Sequence, residues 1–342
     1  MEAPVAVRFT VDEPSGVGEV RRHAAALAAH AAYDETIAGE LSLIVTELAT
    51  NLVKHASGGG EMVIRPVGAG PRGAIEVLAL DRGPGIPNVA EALRDRYSST
   101  GTAGIGLGAV RRLADTFDIH SDPGRGTAVY ARIDAASRTA AKPPGLRVRS
   151  GGFSIAKRGE VESGDGWAER PSEGMTRVMV VDGVGHGPDA ARATHEAIRL
   201  FESQPTASFG DLFSALHARL HSTRGASIAL ADLDPGRETV RFAGVGNIAG
   251  AVATPGEPQR HVVSHPGTVG HELARIHEYD YAWPTGSLLI LHSDGARTRW
   301  AVDAYPGLVR RDPALVAGVL YRDFERGNDD VTVVALRAVR AA

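Results

Sequence analysis

The chain has 342 residues, more than one compact domain usually holds, and its 43% hydrophobic and 23% charged residues exclude a largely disordered protein. The net charge of −4 divides as 14 Lys and Arg against 17 Asp and Glu up to residue 140, and 23 against 24 after it, so neither half is basic enough to make nucleic acid the expected ligand. Cysteine is absent, the opening MEAPVAVRFT lacks the basic and apolar regions of a signal peptide, and no run approaches roughly 18 apolar residues, so the expectation is a soluble cytoplasmic protein without disulfides, thiolate metal sites or a membrane partner.

In chain order, a strand is expected at 4–11 and an Ala-rich helix at 17–32. A second helix runs from Asp34, a plausible N-cap, to Ala56, with Ile37, Leu41, Ile44, Val45, Leu48 and Leu52 at helical spacing. Strands at 61–67 and 73–80 lead into the Gly/Pro-rich loop DRGPGIPN, followed by a helix at about 105–116 and strands at 117–121 and 126–133. The segment 135–149, AASRTAAKPPGLRVR, has no periodicity and contains Pro143, Pro144 and Gly145, which reads as a linker between domains 1–134 and 150–342. Beyond it the sequence predicts strands at 153–161 and 175–182 and helices at 188–203 and 208–222. Strands then follow at 226–233, 238–244, 248–253, 259–264 and 287–293, before a helix at 312–324 and a strand at 331–337. The fold class is α+β: a helix-on-sheet layer, then a β-sandwich flanked by helices, with no internal repeat.

Three blocks of the first half carry chemistry. Glu47, Asn51 and His55 are four apart and share one helix face, where the carboxylate and carboxamide read as oxygen ligands for a divalent cation and its water, or the three as the polar stripe of an amphipathic helix. Asp81-Arg82-Gly83-Pro84-Gly85 ends an apolar strand with a hydrogen-bond acceptor and glycines that let a flat ligand approach, although a plain Gly/Pro turn has the same composition. Gly104, Gly106 and Gly108 open a helix, where backbone N–H groups favour phosphate, and no hydrophobic βαβ strand leads into them as a dinucleotide fingerprint requires.

In this order TELATNLVKHA, DRGPGI and GIGLG resemble the N, G1 and G2 boxes of the GHKL ATPase superfamily, and DPGRGTAVYARI resembles its closing strand, over about residues 5–134. The resemblance implies a Bergerat α/β sandwich binding ATP and Mg²⁺, with Glu47 as the base or phosphoryl-transfer carboxylate, Asn51 as Mg²⁺ ligand and His55 beside it. It makes Asp81 the adenine acceptor with Thr127, Gly83 and Gly85 around it. Gly104, Gly106 and Gly108 lie against the phosphates, under a lid at about 87–103. The anti-sigma-factor serine kinases are the most similar branch. A sensor histidine kinase would need an upstream phosphoacceptor hairpin, and only His23 and His30 precede the site, on an Ala-rich helix.

In the second half Asp165, Asp182, Asp294 and the pair Asp329–Asp330 sit beside Gly or Asn at strand ends. Each Asp-Gly alone reads as a turn, but carboxylates that terminate core strands such as RVMVVD and converge are best neutralised by hard cations. VVDGVGHGPDAARAT, HSDGA and NDDVTVV resemble the PPM (type 2C) metal-dependent Ser/Thr phosphatases, in their stage II sporulation protein E branch, with the αββα sandwich that this family has. That resemblance implies two Mn²⁺ or Mg²⁺ ions held by Asp165, Asp182, the Gly183 carbonyl, Asp294 and Asp329, with Asp182 and Asp294 catalytic and the choice between Asp329 and Asp330 resting on register. GVGNIAG fits the small-residue turn between blocks. The second Asp usual in the first block is missing, only Glu169 being near, and no Arg precedes Asp165, leaving Arg158 or Arg177 as substitutes. His186 and His195 read equally as structural or functional. The short SGDGW and GVGN forms look like the feedback phosphatase acting on stressosome scaffolds. Together the resemblances imply a bifunctional regulator of partner switching: a serine/threonine kinase-like half and a phosphatase half acting on a STAS-domain antagonist or scaffold, with a sigma factor downstream and homodimerisation open. The alternative is an ATP-binding module that sequesters a partner while only the phosphatase turns over.

Overall fold

The apolar periodicities of the first half resolve into one sheet with helices on one face. The computed structural model describes residues 6–68, 73–94, 106–135, 146–172, 174–273 and 275–340, and the chain divides into two units on either side of the segment 136–145. In the first unit the elements are β1 (Val7–Val11), α1 (Pro14–His30), α2 (Glu35–His55), β2 (Gly60–Val67), β3 (Ala74–Asp81), α3 (Val89–Ala92), α4 (Gly106–Leu113), β4 (Thr116–Asp122) and β5 (Gly126–Asp134). The sheet is antiparallel throughout, in the order β1-β2-β3-β5-β4. Helix α1 starts earlier than its apolar spacing suggests because Pro14 supplies the first turn. Asp34 caps α2 as its position predicts, accepting the Ile37 N–H at 2.8 Å. Leu41, Ile44, Val45, Leu48 and Leu52 of α2 then pack on Met62, Ile64, Ile75, Val77 and Ala79 of the sheet. Thus α2, the described helix apolar enough by mean hydropathy (1.2) and length to cross a bilayer, spends its apolar stripe on the sheet.

Alternation along β3 sends Glu76 to the other face, where it is 5% exposed. Its carboxylate accepts from Arg65 Nε (2.8 Å), Tyr130 Oη (2.8 Å) and Arg132 Nη1 (3.3 Å). Burial alone raises a carboxyl's pKa, but the two guanidinium groups and the tyrosine hydroxyl outweigh it and hold Glu76 below the ordinary value.

The second unit contains β6 (Leu146–Ile155), β7 (Asp165–Ser172), β8 (Met175–Gly183), α5 (Pro188–Ser203), α6 (Phe209–Leu220), β9 (Ala226–Asp234), β10 (Thr239–Val245), β11 (Ala249–Ala253), β12 (Arg260–His261), β13 (Ser264–His265), β14 (Tyr279–Ala282), β15 (Leu288–His292), α7 (Pro313–Phe324) and β16 (Val331–Arg340). One sheet runs β13-β10-β9-β8-β7 with β14 also on β10, and the other runs β12-β11-β15-β16-β6. Val178, Val180, Ala229 and Phe242 meet Leu289, Leu291, Val334 and Leu336 between the sheets. Ala193, Ala197, Phe201 and Leu216 of α5 and α6 cover Met179, Val181, Ile228 and Leu230 on the outer side of the first. Helix α7 covers the second sheet: the Tyr321 ring meets Phe153 edge-on at 5.5 Å, and a Cβ at Gly151 would lie 2.2 Å from the Ala314 nitrogen. The layers are therefore αββα.

Two sequence expectations are corrected. Strand β6 begins at Leu146, so the end of the expected linker 135–149 is strand, paired with the far end of the chain from Leu146↔Arg340 to Ile155↔Val331. Its outward Arg147 and Arg149 hide the alternation, and the partner that orders it lies almost two hundred residues on. Strand β7 was not expected, because DGWAERPS has turn composition; it is an edge strand, where Pro171 is tolerated.

Removing the Glu76 carboxylate takes one counter-ion from Arg65 and Arg132, Arg132 keeping Asp134 at 2.7 Å, so the cost falls at the low end of the about 3–5 kcal/mol of a broken buried pair. Glu76→Ala should lower the stability of the full chain in urea by that order. Because the folded-state pKa is depressed, this contribution is complete above the unfolded carboxyl value and is lost as pH falls through the folded one. The difference between wild type and Glu76→Ala should therefore shrink in acid.

Candidate functional site

In the first unit the strand order sets the end of β3 beside the start of β5. Asp81 Oδ1 accepts the Gly83 N–H (2.7 Å) and the Thr127 N–H (3.2 Å), while Thr127 Oγ1 lies 2.9 Å from Ser121 Oγ. Gly83 is tightly packed: a Cβ there would sit 2.9 Å from Asp81 Oδ1 and 3.1 Å from the Ala56 Cα at the end of α2. Gly85 has φ +76°, and its Cβ would meet the Asp122 carbonyl at 2.6 Å. Gly126, which sequence reasoning passed over, allows β5 to approach Asp81 even more closely.

On α2, Glu47 and Asn51 are half-buried and His55 is exposed. Glu47 Oε2 accepts the Gly106 N–H at 3.2 Å, so the carboxylate stands at the N-terminus of α4, where the helix dipole favours negative charge. Gly108 is buried one turn into that helix. The structure thus joins Glu47 to Gly106, and Asp81 to Gly83 and Thr127. Gly104 lies outside the described residues, as does the 95–103 part of the expected lid; within 87–94 a short helix, α3, is capped by Asn88. His23 packs against Phe9 with ring centres 5.0 Å apart, and burial lowers its pKa. It is a packing histidine.

The acidic residues of the second unit gather at one end of the sandwich. Asp165 and Asp182 are directly opposite on β7 and β8, a placement that like charges disfavour. Asp165 is 6% exposed; burial and then Asp182 push its carboxyl well up, against a hydrogen bond to the Ser293 side chain. Asp182 is pushed up to about 7 by burial, then by Asp294 and Asp329. Asp294 is raised by burial and by Asp329, with Arg326 opposing. Asp165 Oδ2 and Asp182 Oδ2 are buried without a hydrogen-bond partner, which is costly unless a cation supplies the missing interaction. All donors here are oxygens, the chemistry of Mg²⁺ and Mn²⁺. Among the described residues no three acidic or imidazole side chains meet around one point, so each cation would take one or two carboxylates and complete its shell with water.

Asp329 and Asp330 are distinguished by geometry. Asp330 is 2% exposed, with one oxygen accepting the Lys157 N–H (2.7 Å) and the other the Gly164 N–H (2.8 Å). Asp329 spends one oxygen on the Asp330 N–H (2.9 Å). Gly183 packs where a Cβ would lie 2.5 Å from the Ala190 carbonyl. Sequence reasoning missed two residues. Asn247, in GVGN, donates to Asp294 Oδ2 at 2.7 Å, and buried Ser293 accepts the Thr332 N–H at 2.9 Å while it holds Asp165. A polar residue in each small-residue turn was the available signal. Glu169 pairs with Val178, four positions along β7 and exposed, and does not join the cluster. Arg177 is bound in bidentate fashion to Asp232 at 2.6 and 2.7 Å, and Arg158 has interactions of its own. His186 Nδ1 pairs with Glu160 Oε1 at 2.9 Å; His195 is half-buried on α5.

Comparison with known proteins gives two family matches, a histidine kinase-like ATPase domain over residues 10–133 and stage II sporulation protein E over residues 172–339. The first half belongs to the first family, and the second half carries the domain of the second. The first match spans every nucleotide-site residue named above, and the second spans Asp182, Asp294 and Asp329 but starts after Asp165. The ATPase half is similar to the serine/threonine-protein kinase RsbT of Bacillus subtilis (strain 168), 35% identical over 91 residues, 27% of this chain and 68% of that one. A chain from a structure of the bacterial stressosome is 29% identical with a TM-score of 0.52, covering 56% of this chain and 100% of that one. RsbX in complex with magnesium shares the fold at 15% identity and a TM-score of 0.51, covering 58% of this chain and 100% of its own. The protein is a GHKL-type ATPase fused to a PPM-type phosphatase domain.

The phosphatase half should separate its adjacent aspartates by stability. In a chelator, Asp330→Ala strands two backbone N–H groups at about 1–3 kcal/mol each and should lower the melting temperature. Asp329→Ala strands one N–H, that of Asp330, and removes repulsion from Asp182 and Asp294, so it should lower the melting temperature less than Asp330→Ala or not at all.

Proposed function

We propose that the chain is a bifunctional regulator of bacterial partner switching, which adds phosphate to a serine or threonine of a STAS-domain protein with one half and removes it with the other. The observation that carries this reading is the union in one chain of an ATPase half similar to a serine/threonine kinase with a phosphatase half. The likeness to a stressosome chain supports a scaffold of that system, or its antagonist, as the substrate. A phosphate brings roughly −1.5 to −2 charges to a neutral hydroxyl, enough to change which partner the antagonist holds. A sigma factor is the downstream partner in this scheme.

In the ATPase half, Asp81 accepts from the adenine amino group, with Thr127, Gly83 and Gly85 shaping the cradle. Asn51 holds Mg²⁺, with His55 beside it, and Gly104, Gly106 and Gly108 present N–H groups to the phosphates. Glu47, already at the α4 N-terminus, takes the proton of the attacking hydroxyl. In the phosphatase half, Asp165, Asp182, the Gly183 carbonyl, Asp294 and Asp329 hold two Mn²⁺ or Mg²⁺ ions. Such a pair supplies an activated water and neutralises charge on the phosphoryl group. Ser293 orients Asp165 and Asn247 orients Asp294, while Asp330 pins the loop that leads to Asp165. The two halves are tethered through 135–145, a length that keeps their effective concentration on the order of millimolar, so a substrate released by one meets the other often.

Asp81→Asn should weaken ATP binding by about 1–3 kcal/mol in calorimetry, the cost of a poorly satisfied polar contact. An unchanged affinity would count against the adenine role.

The decisive experiment uses Asp294→Asn, which disables the phosphatase, with labelled ATP and STAS-domain proteins encoded near this gene. Phosphoprotein should accumulate, and Glu47→Ala in the same background should prevent it. If no STAS partner is labelled while ATP still binds, the ATPase half sequesters its partner without transferring phosphate.

A further inference from the structure

Two divalent ions would offset the four clustered carboxylates, but they supply no hydrogen-bond donors to orient the phosphoryl oxygens of a monoester, which is work for a cationic side chain at the rim of the site. The two arginines that the sequence offered are engaged, Arg177 with Asp232 and Arg158 with partners of its own. Arg224 is paired with Asp189 at 2.8 Å. Arg326 differs from all three. It is exposed and has no ion pair or side-chain hydrogen bond among the described residues.

Its backbone is nevertheless fixed. Arg326 donates its N–H to the Gly295 carbonyl at 2.9 Å, Arg297 donates to the Phe324 carbonyl at 2.8 Å, and Glu325 bridges to Ala296. These bonds fasten the turn between α7 and β16 onto the Asp294–Gly295 turn, and Gly327, at φ +76°, shapes it. The same turn runs on into Asp329. Arg326 therefore lies between the two carboxylates in sequence, its backbone is bonded to the residue after Asp294, and its charge acts on both Asp294 and His292.

We propose that Arg326 is the residue that binds the substrate phosphate, its guanidinium fork engaging two phosphoryl oxygens at the Asp294–Asp329 edge of the site. The inference rests on the phosphatase reading. A planar fork without a protein partner, carried on a bonded turn at the rim of an anionic site, suits a ligand that arrives with its own negative charge. Lys157 is the rival cation: half-buried, without a recorded ion pair, and tied by its N–H to Asp330 on the other side of the cluster.

The test is steady-state hydrolysis of a phosphoserine peptide in saturating Mn²⁺ by the full chain and by Arg326→Ala, Arg326→Lys and Lys157→Ala. Inorganic phosphate serves as competitive inhibitor, and Mn²⁺ binding is measured separately by calorimetry. Arg326→Ala should raise KM for the peptide and the inhibition constant for phosphate in parallel, by roughly tenfold to a hundredfold, the range of a hydrogen bond to a charged group. Its Mn²⁺ affinity should be retained. Arg326→Lys should recover part of the loss, which a merely structural role does not predict. Unchanged phosphate inhibition in Arg326→Ala, or a loss confined to Lys157→Ala, overturns the assignment while leaving metal-dependent hydrolysis standing. A wild-type chain with no metal-dependent hydrolysis overturns the phosphatase reading and this inference with it.

Discussion

Repulsion among carboxylates governs the second half of this protein. Asp165 and Asp182 face each other across adjacent strands, with Asp294 and Asp329 acting on Asp182, and no arrangement of that kind is stable in a low-dielectric interior by itself. The chain tolerates it by three means. Each acidic residue sits at the end of a strand, where the core stops. Hydrogen-bond donors are placed on individual oxygens, from Ser293, Asn247 and the backbone N–H groups around Asp330. Glycines let the turns close: at Gly164, Gly183 and Gly295 any side chain would collide with neighbouring atoms. The remaining imbalance is the two orphaned oxygens, and it is the part that a cation relieves.

The first half uses the opposite economy. Its charges are paired: Glu47 sits against a helix N-terminus, Asp81 accepts two backbone N–H groups, and Glu76 is surrounded by Arg65, Arg132 and Tyr130. A nucleotide carries its own negative charge and needs donors and open backbone. A phosphoester hydrolase of this kind needs concentrated negative charge to collect cations. The contrast follows from which partner brings the charge.

Much of this was legible in the sequence, and the reasons are local. Asp34 caps α2 because Asp before an apolar helical run satisfies that helix's first N–H groups, and the run itself fixed the core face. The glycines of DRGPGI stand out in composition, and in the structure Gly83 and Gly85 both lie where a Cβ would crowd the chain's own atoms. What stayed hidden was non-local. The outward arginines of β6 conceal a strand whose partner is β16, and DGWAERPS reads as a turn until β8 lies beside it. Asn247 looked like part of a small-residue turn because nothing in GVGN reveals that Asp294 is its neighbour. Arg177 looked available because its strand neighbour Asp232 is distant in the chain.

The ten-residue pairing of β6 with β16 has a consequence for how the protein is made. The first unit is contiguous and its sheet closes at β5, so it can complete its core as soon as that strand is synthesised. The second unit cannot. Its opening strand waits for its last one, and the N–H groups of Lys157 and Gly164 meet their carboxylate only when Asp330 arrives. Synthesis thus builds the ATPase domain well before the hydrolytic centre. A nascent chain completes the sheet of its first unit long before the strand on which the second unit closes exists, and truncation within β16 takes away the partner of β6 while leaving the first sheet whole.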